Sequence, residues 1–108
     1  MIINLTKNKI ISTQEINAPT FLKQARGLMF KKKANCLMIF NTPRPISLHN
    51  FCVFYPLDII LIDQNLKITE IKRNFSPFTL WRSKAKALYC LELATPSVYD
   101  VGDQLQIK

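Results

Sequence analysis

Ser47 to Asp63 reads SLHNFCVFYPLDIILID, and this stretch decides the fold. It is almost wholly apolar, too short to span a membrane and too rich in β-branched and aromatic residues for a helix. Pro56 divides it into two expected strands, Leu48–Phe54 and Leu57–Ile62. It also carries His49, the one histidine of the chain, and Asp58. An ionisable side chain inside an apolar strand is unfavourable unless a partner satisfies it, so these two residues mark the candidate site.

Outward from that stretch the pattern stays β. Ile2–Leu5 and Lys9–Ser12 read as two short strands turned at Lys7-Asn8. Ala18–Ala25 (APTFLKQA) reads as a helix, with Asn17 able to cap, Pro19 in the first turn and Gly27 at its end. Ala34–Phe40 is a strand, and Thr42–Pro45 (TPRP) a proline-stiffened loop. Lys67–Phe75, Ala85–Leu93 and Gln104–Ile107 are further strands, the last entered by a turn at Val101-Gly102-Asp103. Short strands separated by turns predict an α+β fold that is mainly β. We expect a small barrel-like or strongly bent, mostly antiparallel sheet with one helix near the N-terminus.

At 108 residues the chain is expected to form a single domain, residues 1–108. The first residues, MIINLTKNKII, carry charge where a secretory leader needs its apolar segment, so a soluble, cytoplasmic protein is expected. Cys36, Cys52 and Cys90 each sit in an apolar strand, and an odd count argues against a disulfide framework. His49 and Cys52 read H-x-x-C, but residues three apart in a strand face opposite sides, so no metal site is expected. No cofactor motif is present: the chain has no P-loop, GxGxxG, GxSxG or HExxH. The net charge of +8 attracts polyanions, or else gives a solvated lysine-rich surface.

Several motifs then converge. Arg26–Phe30 (RGLMF), a strand ending at Phe40, the quoted stretch with its PLDI, Tyr89–Leu93 (YCLEL) and Val101–Asp103 (VGD) follow in order. Together they resemble the family known as domain of unknown function 192. The histidine ahead of an aromatic strand is similar to its archaeal branch. The resemblance covers roughly residues 8–107. It implies a small, mainly β, stand-alone protein and no established activity. Two features depart from the family pattern: a shorter segment between Glu92 and Gly102, and Asn50 where methionine is frequent.

Asp58 needs a partner, and Arg26 is the expected one because both lie in the motifs that carry the resemblance. The pair is either a structural clamp or, with His49, a pocket in which the Arg26 guanidinium takes a carboxylate or phosphate. His49 itself is either a strand-end histidine bonded to backbone or a ligand-contacting imidazole. Glu92 is expected to be structural, able to pair with a lysine or arginine across the sheet, and Asp103 to be a turn residue. Residues 72–86, KRNFSPFTLWRSKAK, interleave Lys72, Arg73, Arg82 and Lys84 with aromatics including Trp81. That is the composition of a single-strand nucleic-acid site, or of a long loop whose aromatics cover the sheet.

Three readings follow. The first is a non-catalytic domain binding a small polar or anionic ligand, or a protein partner, at Arg26, His49 and Asp58. The second is binding of RNA or single-stranded DNA by Lys72, Arg73, Trp81, Arg82 and Lys84. The third is a small enzyme using His49 and Asp58 as acid and base.

Overall fold

A computed structural model describes residues 1–18, 35–49, 57–75, 80–94 and 97–108. Eight strands follow in order: β1 (Ile2–Asn4), β2 (Lys9–Ser12), β3 (Glu15–Ala18), β4 (Asn35–His49), β5 (Leu57–Ile62), β6 (Ile68–Phe75), β7 (Leu80–Leu93) and β8 (Leu105–Ile107). They form a three-stranded sheet in the order β2-β1-β8 and a five-stranded sheet in the order β3-β4-β7-β5-β6. Every pairing is antiparallel except β3 with β4.

The continuous apolar run LDIILI is explained by burial on both faces of β5. Ile59 and Leu61 join Cys36, Met38 and Cys90 in one core. Ile60 and Ile62 join Leu37, Leu91 and Leu93 in the other, where Ile2, Ile11 and Leu105 of the small sheet pack against them. Each such side chain contributes about 1.5–3 kcal/mol when fully buried.

The far halves of β4 and β7 belong to the first core as well, through Ile46, Ala87 and the half-buried Trp81. The β4–β7 ribbon therefore curls back over its own sheet. Register slips between Ile39 and Arg44 and between Pro45 and Ser47 give it the bend. The expected bent sheet is present. Among the described residues it is open rather than a closed barrel, with β3 and β6 as its edges.

Three sequence expectations are corrected. TPRP is not a loop but part of β4. Pro43 lies in the slip between Ile39 and Arg44 and Pro45 borders the next one, both beyond the residues that pair with β3. Residues 72–86 are not a long loop, since β6 and β7 run into them from both sides. Ala18, expected to open the helix, closes β3, and no helix occurs among the described residues. The rest of that helix, with Gly27, lies outside them.

The turns are specific. Asn8 turns β1 into β2 at φ 55, a conformation asparagine tolerates. Between β5 and β6 the Asp63 carboxylate accepts the amides of Asn65 and Lys67 at 2.8 and 3.0 Å. Leu66 is held there at φ 61, an unfavourable value for a bulky side chain, and its carbonyl accepts the Leu105 amide at 2.8 Å.

Candidate functional site

Asp58 leaves β5 on the same face as Ile60 and Ile62. Its Oδ2 accepts the Tyr99 hydroxyl, and its Oδ1 accepts the Asn74 amide at 2.8 Å. Asn74 reaches it because a left-handed φ of 53 kinks the end of β6. Arg73 lies over the Tyr99 ring at 4.5 Å and donates to the Tyr99 carbonyl at 2.7 Å. It also approaches Asp100 at 3.6 Å. Burial, and then the Asp58 carboxylate, push the Tyr99 phenol well above its ordinary pKa.

Four residues on, Asp103 is a hub rather than a simple turn residue. It is 5% exposed, and its Oδ2 accepts from Asn4 at 2.7 Å, from Lys7 at 2.7 Å and from the Asp100 amide at 2.9 Å. The Lys7 bond, helped by Asn4 and the Asp100 amide and opposed by burial, holds this carboxyl below the usual range. Lys7 in turn is raised by its bonds to Asp103 and Asp100, the latter at 3.1 Å. Gly102 precedes the hub at φ 92, which only glycine adopts readily. Residues 98–103 thus tie the small sheet to the large one through paired charges.

The opposite case is Glu92. It is 6% exposed, on β7 between Cys36 of β4 and Ile59 of β5, and has no hydrogen bond or ion pair among the described residues. No lysine or arginine stands beside it across the sheet among the described residues. Burial pushes its carboxyl up to about 7. The Cys90 thiol on the same face is pushed up too, first by burial and then by Glu92.

The basic–aromatic segment separates into faces. Lys72 stands opposite Ile59, whereas Arg73 points the other way, onto Tyr99. Phe75 is buried and Trp81 packs half-buried on the first core. Arg82, Lys84 and Lys86 alternate outward along β7 and are exposed. Arg44, beside the Pro45–Lys86 pair, is exposed and lies over Phe40 at 4.4 Å. Strand alternation has put rings inside and cations outside.

Of the other expected site residues, Arg26 lies outside the described residues. His49 ends β4 paired with Leu80, and its side chain is likewise outside the description. No group of three histidine, cysteine, aspartate or glutamate side chains that could hold a metal occurs among the described residues. No helix among them is long and apolar enough to cross a membrane.

The family model for DUF192, described as an uncharacterized ACR, matches residues 2–107. The chain belongs to the DUF192 family. The resemblance carried by RGLMF, PLDI and VGD is therefore sound. Among archaeal DUF192 relatives, the UPF0127 protein of Pyrococcus horikoshii is 32% identical over 95 residues, covering 85% of this chain and 82% of its own. That of Thermococcus kodakarensis is 33% identical over 96 residues, covering 85% of this chain and 60% of its own. A crystal structure of a candidate transcription regulator from Sinorhizobium meliloti superposes with a TM-score of 0.82 at 23% identity, covering 97% of this chain and 88% of that one. A protein of unknown function from Novosphingobium aromaticivorans gives 0.73 at 23% identity, covering 86% and 74%. Identity this low establishes a shared fold and no more.

Sequence reasoning missed Tyr99, Asn4 and Lys7 as partners of Asp58 and Asp103. Their separations of 41, 99 and 96 residues carry no local signal. It also missed Glu70, whose carboxylate accepts backbone amides of β7.

Proposed function

We propose that this DUF192 chain is a non-catalytic binding domain for a nucleic-acid strand, RNA or single-stranded DNA, gripped by its phosphates on the outer row of β7. The observation that carries the reading is where the charges are spent. Among the described residues, all but Glu92 of the seven acidic side chains hold a protein donor: Glu15 the terminal amine and Ser12, Asp58 Tyr99, Asp63 its own turn, Glu70 the β7 amides, Asp100 and Asp103 Lys7. Only Lys7 and Arg73 among the described lysines and arginines take a carboxylate. Arg82, Lys84 and Lys86, with Lys72 and Arg44 nearby, are left to meet phosphates from outside.

Trp81 and Arg73 drop out of the contact surface in this reading. One packs inward and the other is engaged on Tyr99. Binding through phosphates without base stacking is indifferent to sequence. The non-catalytic part of the reading is supported by Asp58, whose carboxylate accepts from Asn74 and from Tyr99 and so serves as a tie within the scaffold.

The test is a low-salt gel shift with oligo(U) and oligo(dT) of equal length, set beside titration with a phosphomonoester. We expect both oligomers to bind equally and the monoester weakly. Tight monoester binding that Arg26→Ala abolishes, with no oligomer shift, would replace this reading with the small-ligand pocket at Arg26, His49 and Asp58.

A further inference from the structure

In the middle of the exposed cationic row the ladder between β4 and β7 slips. Ser47 stands opposite Arg82 and Pro45 opposite Lys86, so β7 spends extra residues at Ser83–Ala85. Ser83 fixes this bulge from within. Its buried hydroxyl accepts the Ile46 amide at 2.8 Å and donates to the Ala85 carbonyl at 2.8 Å. A bulge braced this way turns two successive backbone N–H groups to one side of the strand.

Both of those groups point at a single oxygen. The amides of Lys84 and Ala85 donate to Glu70 Oε1 at 2.8 and 2.7 Å. Successive amides converging on one point form an anion-binding concavity, independent of any side chain. Here the concavity is already filled by an anion, the carboxylate of Glu70 from edge strand β6. It is flanked by the exposed cations Arg82, Lys84 and Lys86, none of which pairs with Glu70. The ordinary alternative is a strut that ties β7 to β6.

We infer that the amides of Lys84 and Ala85 form a phosphate-binding nest on β7, and that Glu70 is its built-in competitor. This rests on the reading of β7 as a phosphate-binding row and adds the seat of one phosphate and the group that must leave it. A phosphate of an incoming strand takes the two amides and brings its neighbours onto Arg82 and Lys86. Glu70, half-exposed on an edge strand, swings into water. No bond is made or broken. The exchange is one acceptor anion for another, and the intrinsic affinity of the row is masked by the occupied seat.

The experiment compares wild type, Glu70→Ala, Glu70→Gln and Asp63→Asn. The last removes one negative charge at a turn remote from the nest. Oligo(dT) affinity is read by anisotropy across a salt series, and the Lys84 and Ala85 amides by NMR during inorganic phosphate titration. We expect Glu70→Ala to bind the oligomer roughly ten-fold tighter, with a log–log salt slope steeper by about 0.7, the increment of one more phosphate contact on a single strand. Asp63→Asn should leave the slope unchanged. Glu70→Gln, which keeps a neutral acceptor on the amides and so preserves the bulge, should fall between wild type and Glu70→Ala. In Glu70→Ala the Lys84 and Ala85 amides should shift with phosphate. If both Glu70 variants match Asp63→Asn and those amides do not move, Glu70 is a strut and the nest is overturned, while the cationic row stands. If phosphate shifts the amides but no variant binds the oligomer, the nest holds and the nucleic-acid reading fails.

Discussion

Two ends of this molecule treat charge in opposite ways. Around residues 98–103 every charged group has a partner: Asp103 takes Asn4 and Lys7, Asp58 takes Tyr99, and Asp100 stands between Lys7 and Arg73. Along β7 the exposed Arg82, Lys84 and Lys86 have no carboxylate partner, and the buried Glu92 on the same strand has no partner among the described residues. Paired charges at the first end hold two sheets together. Unpaired charges at the second add little to the fold, so their value lies in what they meet outside it or in how they respond to protons.

The largest effect is expected at the paired end. Asp103→Ala removes one acceptor from three donors in a buried setting and should destabilise by about 3 kcal/mol. For a chain of this size that lowers the thermal midpoint by roughly 10–20 °C. Denaturant melts of the variant check it, and a loss below about 0.5 kcal/mol would mean that the hub does not hold the sheets.

Glu92→Gln sharpens the contrast from the other side. The Glu92 carboxyl sits at about 7 in the folded chain against an ordinary 4.5, so between those values the folded state holds a proton that the unfolded chain has released. The contribution of Glu92 to stability is then fullest below about 4.5 and is lost as pH rises toward 7. The neutral variant escapes that loss. Its advantage over wild type should grow through this window and level off above it, at about 3 kcal/mol. Melts at several pH values read the difference, and a constant gap across the window would show that Glu92 does not titrate there.

Tyr99→Phe deletes only the hydroxyl that Asp58 accepts, leaving the ring under Arg73, and should cost about 1–2 kcal/mol. The smallest stability effect belongs to the row itself. Arg82→Ala, Lys84→Ala and Lys86→Ala should each stay within about 0.5 kcal/mol of wild type, because none has a carboxylate partner to lose. Equilibrium unfolding of the three single variants checks this. A larger loss would make the row part of the scaffold.

What the sequence disclosed, and what it hid, follows from range. Lys9–Ser12 and Leu57–Ile62 coincide with β2 and β5, because local composition fixes a short strand that packs on one or both faces. β3 escaped notice: Glu15–Ala18 is four residues with one β-branched side chain, Ile16, it runs into residues that read as a helix start, and it is held by parallel pairing with β4. TPRP misled because proline ordinarily ends a strand, while here the slips in the ladder accommodate it. Lys72 and Arg73 look like one basic pair in sequence, but pleating sends them to opposite faces. Asp58 was legible as a residue needing a partner. That Tyr99 would supply one was not, since nothing near either residue signals a contact across 41 positions. The same distance effect hid the role of Asp103.

The most direct test of the central claim is the salt dependence of oligo(dT) binding by wild type and by the triple variant Arg82→Ala, Lys84→Ala and Lys86→Ala, both shown to be equally folded. The wild-type log–log slope should be about −2 to −3, from three to four phosphate contacts, and should fall by about 2 in the variant. An unchanged slope and affinity in the triple variant would contradict it, because the strand would then be held by something other than the outer row of β7.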